Sequence, residues 1–297
     1  MLEQWFRPSG TSEMETTMTY RSLLVHLDQS PLCNARTKAA IGLAKELDCH
    51  LVGVAPTGLV EFPAAPEAAA AFTDFVSMAW DTMRGQANAA AQAFREACQA
   101  AGLKSFEAVT DEAEQASSLI QHAHCSDLTV LTQAERQGQG QAAAQAIVEQ
   151  VVLYSARPTL ILPYAGKFDR FGTNAMVAWD DSREAARAVS DALPMLRRAK
   201  RVQVVSWNER GDSPDDTLKP RLDALHQWLM WQGVSAEMQV ETTDIGVAEA
   251  ALSRASDLGA DLIVMGAYGH ARWAERVLGG ATRGLLASMT VPVLMSH

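Results

Sequence analysis

Two stretches of the chain recur at one constant separation, and this internal repeat constrains the fold more than any other feature of the sequence. Residues 126–132 (SDLTVLT) match residues 260–266 (ADLIVMG), and residues 157–162 (RPTLIL) match residues 291–296 (VPVLMS). Both pairs share one separation, which we call the repeat offset, so the stretch between them aligns without a gap. The chain therefore consists of two copies of one structural plan.

The openings of the two copies also match. Residues 22–28 form an apolar run that ends in Asp28, and residues 175–180 form another that ends in Asp180. An alanine-rich helical stretch follows each run. In the second copy Ser182 stands just before this stretch, where we expect its hydroxyl to cap the free backbone amides of a helix.

Within each copy, short apolar runs alternate with amphipathic stretches of helical length. In the second copy the predicted strands cover residues 174–179, 201–207, 235–241, 261–266 and 292–295. The predicted helices cover residues 182–199, 216–232, 246–258 and 280–289. The first copy has the same plan, lengthened by an alanine-rich stretch at residues 64–101. This alternation predicts an α/β fold with a parallel sheet between two layers of helices.

The repeat also predicts the domain organisation. We expect a first domain at residues 19–165 and a second at residues 167–297, with a short polar connection around residues 164–167. Residues 1–18 lack the apolar centre of a secretory signal. We expect them to form a flexible leader, and Met18 is an alternative start. Gly102 and Gly233 each follow a helical run, where we expect a left-handed residue to end a helix.

Charge and cysteine content exclude several classes of function. The 297 residues include 25 Lys and Arg against 35 Asp and Glu, a net charge of −10, so we expect no nucleic-acid binding. No apolar run approaches about 20 residues, so we expect no membrane span. The four cysteines lack metal-finger or paired-redox spacing, which favours a reducing, cytoplasmic setting. We expect no metal site at His122, His124 and Cys125, because no second ligand cluster is evident.

The segment that carries chemistry is residues 264–282, VMGAYGHARWAERVLGGAT. Gly266 and Gly269 allow a tight turn and a close backbone approach to a ligand. Gly279 and Gly280 fall where the next helix begins and presents unpaired N–H groups to an anion. The spacing alone leaves two interpretations open, a phosphate-binding loop or glycines that only shape a strand-to-helix connection. The segment is neither a Walker A loop nor a Rossmann fingerprint.

The spacing of these glycines resembles the nucleotide-binding signature of the universal stress protein family: Gly, two residues, Gly, nine residues, Gly and a small residue. Gly266, Gly269 and Gly279 match its glycines, whereas Gly280 stands where the family usually has Ser or Thr. The strand-end Asp180 and the final VPVL run are similar to the family as well. The resemblance covers residues 20–165 and 172–297, so the chain resembles a tandem universal stress protein.

This resemblance implies two tandem doubly wound domains, each with a five-stranded parallel sheet of order 3-2-1-4-5 flanked by helices. It also implies that ATP or a related adenine nucleotide, with or without Mg²⁺ or Mn²⁺, binds in the second domain beyond the ends of the first, second and fourth strands. The implied contacts are Asp180 with the ribose or base, backbone groups around Trp207 with the adenine edge, and the glycine segment with the ribose and phosphates. The implied binding set is Ala178, Trp179, Asp180, Trp207, Met265, Gly266, Gly269, His270, Gly279, Gly280, Ala281 and Thr282. Trp179 and Trp207 either line this cleft or pack in the core.

The first copy lacks the glycine segment. At the repeat offset, Thr132 replaces Gly266, Glu135 replaces Gly269, and Gln145 and Ala146 replace the glycine pair. Side chains then occupy the volume that phosphates need. We expect this copy to serve as a structural partner or to hold a different ligand.

The resemblance implies a stress-response protein that acts as a nucleotide-dependent regulator. The alternative is a stress-response scaffold that binds no nucleotide and works through contacts with an unidentified protein partner. No residue nominates a catalytic base, so we expect at most slow ATP hydrolysis. Members of the family commonly pair through their last strands, so the resemblance implies that residues 158–162 and 292–295 join the two copies into an internal pseudo-dimer. The pairing of two chains into a homodimer stays open.

Overall fold

The computed structural model describes residues 19–58, 69–135, 140–209, 218–269 and 280–297. Within these ranges ten strands form one continuous sheet. The strands are β1 (Ser22–His26), β2 (His50–Pro56), β3 (Phe106–Asp111), β4 (Leu128–Thr132), β5 (Thr159–Leu162), β6 (Asn174–Ala178), β7 (Arg201–Glu209), β8 (Ala236–Thr243), β9 (Leu262–Gly266) and β10 (Val293–Ser296). The helices are α1 (Cys33–Leu47), α2 (Ala69–Ala100), α3 (Gln115–Ala123), α4 (Gln141–Tyr154), α5 (Arg183–Leu196), α6 (Leu218–Trp231), α7 (Val247–Asp257) and α8 (Gly280–Ser288). We call the part with β1–β5 the first half and the part with β6–β10 the second half.

The strand order is β3-β2-β1-β4-β5-β10-β9-β6-β7-β8. All pairs within each half are parallel, and each half has the order 3-2-1-4-5. The predicted tandem doubly wound fold is therefore confirmed. The strands of the second half begin and end within two residues of the predicted bounds, because their apolar runs are short and flanked by polar residues.

The two halves join through β5 and β10, which pair antiparallel with Leu160 opposite Leu294. This pairing confirms the internal connection expected from residues 158–162 and 292–295. Both strands are buried along their whole length. Residues separated by the repeat offset also occupy equivalent positions in the strand pairing, since Thr132 pairs with Leu162 and Gly266 pairs with Ser296. Equivalent positions in the two halves can therefore be compared directly.

Helices cover both faces of the sheet. One buried apolar cluster lies under α1, α2, α5 and α6, and the other lies under α3, α4, α7 and α8. Each cluster extends through both halves, so the sheet has one continuous core on each side. This is the arrangement that strands with two apolar faces require.

The ends of the helices follow the predicted signals. The Ser182 hydroxyl accepts a hydrogen bond of 3.1 Å from the Ala185 N–H and so caps α5 as expected. Gly102 and Gly233 have φ values of +67° and +76°, the left-handed conformation that ends a helix at little cost for glycine. On α6, Trp228 packs against the core, whereas Trp231 is 74% exposed.

The expected leader at residues 1–18 lies outside the described residues. Within the described ranges, none of the helices combines the length and the apolar character needed to cross a bilayer. The four cysteines are all free thiols, and Cys49 and Cys98 are buried as expected for small apolar residues.

Candidate functional site

The predicted site residues of the second half gather at the carboxyl edge of the sheet. Ala178, the last residue of β6, lies between Val205 of β7 and Met265 of β9. Asp180 follows β6, and Gly266 ends β9. In a doubly wound sheet of this order, β6 and β9 leave the sheet in opposite directions, toward helices on opposite faces. A crevice therefore opens between their ends, where ligands bind in such folds.

Asp180 begins a tight turn that leads into α5. Its Oδ1 accepts hydrogen bonds from the backbone N–H of Ser182 at 3.1 Å and from the Ser182 hydroxyl at 2.6 Å. Among the described residues both bonds use the same oxygen, so Oδ2 is available to a ligand hydroxyl. The Asp180 side chain is exposed. It is a carboxylate held in place by its own turn and open to solvent.

Trp207 presents its backbone to the same crevice. The β6–β7 ladder ends at Ala178 and Val205, with one further hydrogen bond of 2.9 Å from the Trp179 N–H to the Val205 carbonyl. The β7–β8 ladder continues to Glu209 and Thr243. Backbone groups alternate sides along a strand, so the N–H and C=O of Trp207 point to the side of β6, beyond its end. The Trp207 ring packs against the cluster under α7 and α8.

Trp179 has a different place. Its side chain is 7% exposed and belongs to the core under α5 and α6. Of the two interpretations that the sequence left open for Trp179, the structure shows the core one. Its indole Nε1 is buried without a hydrogen-bond partner among the described residues.

Gly266 is required by packing within the protein. A Cβ added there would lie 2.5 Å from the Ala185 nitrogen and 2.6 Å from the Glu184 carbonyl carbon. These are backbone atoms of the first turn of α5, which cannot move aside without shifting the helix. The end of β9 thus lies directly against α5, and this reason for glycine differs from the ligand approach that the sequence suggested.

Gly269 lies over the side chains at the start of α5. A Cβ there would lie 3.2 Å from Oε2 of Glu184 and 3.6 Å from Oγ of Ser182. Glu184 is 2% exposed and pairs with Arg183. Burial raises the pKa of Glu184, but the hydrogen bond from Arg183, together with the Arg183 and His297 charges, lowers it below its usual range. A buried carboxylate therefore lies beneath the Gly269 loop, and sequence reasoning had missed it.

The loop after β9 is tied to the start of α8. The backbone N–H of Tyr268 donates a 3.2 Å hydrogen bond to Oγ1 of Thr282, a residue that is 3% exposed. Gly280 and Ala281 form the first turn of α8, so the turn whose N–H groups lack helical partners lies beside the Gly266–Gly269 loop. Thr282 joins the two segments through its hydroxyl. The predicted site residues His270 and Gly279 lie outside the described residues.

The equivalent crevice of the first half contains a residue that sequence reasoning also missed, Arg36. Its guanidinium donates to the His26 carbonyl at 2.7 Å and to Oγ1 of Thr132 at 2.9 Å. It also lies 2.9 Å from Oδ1 of Asp28, and Arg36 as a whole is 3% exposed. One buried side chain thus bridges the ends of β1 and β4. When the two openings are aligned by Asp28 and Asp180, Ala188 falls at the position of Arg36. This difference between arginine and alanine was the sequence signal that could have identified Arg36.

The charges of this cluster shift its titrating groups. Burial raises the pKa of the Asp28 carboxyl, but the Arg36 charge and the two hydrogen bonds from Ser30 outweigh burial and hold that pKa below its usual range. Burial and the Arg36 charge lower the pKa of His26 to about 3, although Asp28 opposes this. The first half therefore closes its crevice with an ion pair beside a neutral histidine.

Comparison with known proteins agrees with this architecture. Residues 173–297 match the family model of the universal stress protein family. The second half is a universal stress protein domain. A crystal structure of a universal stress protein from Archaeoglobus fulgidus DSM 4304 is similar over 93% of this chain and 95% of its own, with 17% identity and a TM-score of 0.67. A structure described as a universal stress protein from Pseudomonas aeruginosa UCBPP-PA14 is similar over 93% of both chains, with 18% identity and a TM-score of 0.60.

A functionally unknown protein from Pseudomonas aeruginosa PAO1 has the same arrangement, with 16% identity, a TM-score of 0.58 and coverage of 93% of this chain and 92% of its own. At these identities the similarity establishes the fold: two universal stress protein folds in tandem over nearly the whole chain. No curated protein matches the chain.

Proposed function

We propose that the second half binds ATP or a related adenine nucleotide at the carboxyl edge of β6, β7 and β9, and that the protein acts as a nucleotide-dependent regulator in a stress response. The observation that carries this proposal is the contrast between Arg36 and Ala188. In the first half a guanidinium fills the crevice and neutralises the strand-end aspartate. In the second half a buried alanine stands in its place and Asp180 stays exposed.

The residues present fit an adenosine. Asp180 offers a carboxylate oxygen to the hydroxyls of a ribose, and the Trp207 backbone offers one donor and one acceptor to the edge of an adenine. The Tyr268–Thr282 hydrogen bond keeps the Gly269 loop beside the first turn of α8. The free N–H groups and the dipole of that turn favour a phosphate.

The charge of Glu184 restricts where the phosphates lie. A polyphosphate placed over the start of α5 would meet this buried carboxylate beneath Gly269. We therefore place the phosphates toward α8. A divalent cation such as Mg²⁺, when bound, would screen the phosphate charge. The described residues nominate no base for hydrolysis, so we assign binding and not catalysis. The free thiols favour a reducing compartment, and we place the protein in the cytoplasm.

A titration of Asp180→Asn with ATP and Mg²⁺ tests the site. The substitution keeps the Oδ1 acceptor of the turn but removes the charge, and a hydrogen bond to a charged group is worth about 1.5–3 kcal/mol. We expect the dissociation constant to rise by about tenfold or more in isothermal titration calorimetry. The matched control is Asp28→Asn, which changes the same turn in the first half and should leave the affinity unchanged. Equal effects of the two variants would contradict the site.

Gly266 does not separate the proposed function from the scaffold alternative. Gly266 is needed for packing against α5 whether or not a nucleotide binds, so its presence does not distinguish the two functions. A thermal melt distinguishes the two functions. At a ligand concentration 100 times the dissociation constant, a nucleotide should stabilise the protein by about 2.7 kcal/mol. A melting temperature that does not change in millimolar ATP and Mg²⁺ would favour the scaffold.

A further inference from the structure

Helix α8 is held at its first turns by a side chain of the first half. Arg283 of α8 forms two hydrogen bonds with Glu149 of α4, from Nε to Oε1 and from Nη2 to Oε2, each at 3.2 Å. The Glu149 side chain is 16% exposed and that of Arg283 is 46% exposed. These two positions are separated by the repeat offset itself, so the pair joins equivalent points of the two halves.

The other end of α8 is held by a second residue of the first half, Gln133. Its Nε2 donates a 2.6 Å hydrogen bond to the Leu286 carbonyl, and its Oε1 accepts one of 3.2 Å from the Tyr164 N–H. Leu286 is among the last four residues of α8, whose carbonyls lack helical partners. Gln133 is 4% exposed, so this bond satisfies a buried carbonyl across the junction of the halves.

The loop of the proposed site also reaches this junction. Tyr268, between Gly266 and Gly269, has a φ of +55° and is 9% exposed. It belongs to the same buried cluster as Val148 and Val151 of α4. Burial and the nearby Glu149 charge raise the pKa of the Tyr268 hydroxyl, and Arg283 partly opposes this, as expected if the hydroxyl lies close to their ion pair.

We propose that Glu149 and Gln133 of the first half are positioning residues for the nucleotide site of the second half. This inference rests on the proposed function. A nine-residue helix is marginal on its own in water, so its contacts decide how often it is in place. When only a fraction of molecules has the site in place, the apparent dissociation constant rises by the inverse of that fraction. The first half thereby sets the affinity of a site whose proposed ligand contacts all lie in the second half.

The test compares Glu149→Gln, Arg283→Glu and the exchanged pair Glu149→Arg with Arg283→Glu. We expect each single variant to raise the dissociation constant for ATP and Mg²⁺ by about fivefold, and the exchanged pair to restore it to within twofold. Rescue by the exchange would assign the loss to the ion pair between α4 and α8, because a loss caused by either substituted side chain alone would not be restored. The control is Glu112→Gln, which breaks the comparable Arg84–Glu112 pair, with bonds of 2.7 and 3.1 Å, within the first half. Unchanged affinity in both single variants would overturn the proposal.

Amide hydrogen exchange of the nucleotide-free protein separates this proposal from the proposed function. In Glu149→Gln and in Gln133→Ala, residues 282–288 and 266–269 should exchange at least threefold faster than in the wild type, while β7 and β8 keep their rates. If the wild type binds no nucleotide but this exchange increases, the proposed function falls and the positioning by the first half stands. If the exchange is unchanged in both variants, the positioning role is refuted whatever the protein binds.

Discussion

Each half of the molecule has its own carboxyl edge of the sheet. The two edges share a turn but differ in the residues that surround it. In the first half, Oδ1 of Asp28 accepts hydrogen bonds from the N–H of Ser30 at 3.0 Å and from its hydroxyl at 2.7 Å. In the second half, Asp180 and Ser182 form the same two bonds at 3.1 and 2.6 Å. The Asp-x-Ser turn is therefore part of the fold in both halves. Its presence alone does not indicate a ligand.

The difference lies in what fills the crevice above that turn. Arg36 bridges Asp28 and Thr132 in the first half, where the second half has Ala188 and Gly266. The strand ladders also place Pro56 of β2 where β7 has Trp207. Proline has no backbone N–H to donate to an adenine. Three positions on three elements thus close the first crevice, which shows that its loss of a nucleotide site extends beyond the glycine segment.

Moving the arginine to the second half gives the largest expected effect. In Ala188→Arg the new guanidinium can reach Asp180 and the Ala178 carbonyl, as Arg36 reaches Asp28 and the His26 carbonyl. It would occupy the crevice and neutralise the carboxylate that the proposal assigns to the ribose. We expect the dissociation constant for ATP to rise by at least about 100-fold, or 2.7 kcal/mol, in isothermal titration calorimetry.

The control for this variant is Ala186→Arg, which adds the same side chain to an exposed position of α5. Circular dichroism should show that both variants keep the fold, since the first half accommodates a buried arginine at the equivalent point. If Ala188→Arg binds the nucleotide with unchanged affinity, the crevice between β6 and β9 is not the site, and the comparison of the two crevices fails.

The second prediction concerns stability. Gly266→Thr introduces the first-half residue, whose Cβ would lie 2.5 Å from the Ala185 nitrogen. Overpacking of this kind typically costs about 1–3 kcal/mol. Chemical denaturation should show that loss in the free energy of unfolding, with or without nucleotide. Gly246→Ala is the control, because its Cβ would meet no atom within 4 Å and its φ is −57°. If Gly266→Thr is as stable as the control, packing against α5 does not require glycine, and the role of Gly266 is ligand approach alone.

The fold could be predicted from the sequence because its signals are local and repeated. The constant repeat offset, the apolar runs and the Ser182 cap each specify structure within a few residues. The β5–β10 junction, in contrast, was expected from the resemblance to the family, whose members commonly pair through their last strands. The backbone plan of a doubly wound domain leaves few alternatives once strands and helices alternate.

The site could be predicted less completely, because its chemistry depends on side chains that meet only in three dimensions. Arg36 lies on a helix, 96 residues from Thr132, and no local pattern marks it as the group that closes the crevice. Nothing in the sequence distinguishes Glu184 from an ordinary exposed residue in the first turn of a helix, yet it is buried beneath Gly269. The reason for Gly266 was also inaccessible, since it depends on the distance between β9 and α5.

The third expected effect is on the pH dependence of stability, and it tests the comparison from the side of the first half. His26 stands where the second half has Ala178, and its pKa is lowered to about 3 by burial and by Arg36. In the unfolded chain this histidine takes up a proton below about pH 6.5, whereas in the folded protein it stays neutral. The unfolded state therefore binds more protons, and the free energy of unfolding falls as the pH is lowered from 6.5 toward 3. The slope from one such group is at most about 1.4 kcal/mol per pH unit.

His26→Ala, which introduces the second-half residue, should remove this slope even though the cavity lowers stability at every pH. The measurement is urea denaturation from pH 7 to pH 4.5, a range above the ordinary pKa of Asp28, and the quantity compared is the difference in slope between the wild type and His26→Ala. The other histidines contribute equally to both proteins and cancel in the difference between their slopes. Parallel stability curves for the wild type and His26→Ala would mean that His26 is protonated in the folded protein. Arg36 would then not keep His26 neutral in the crevice of the first half.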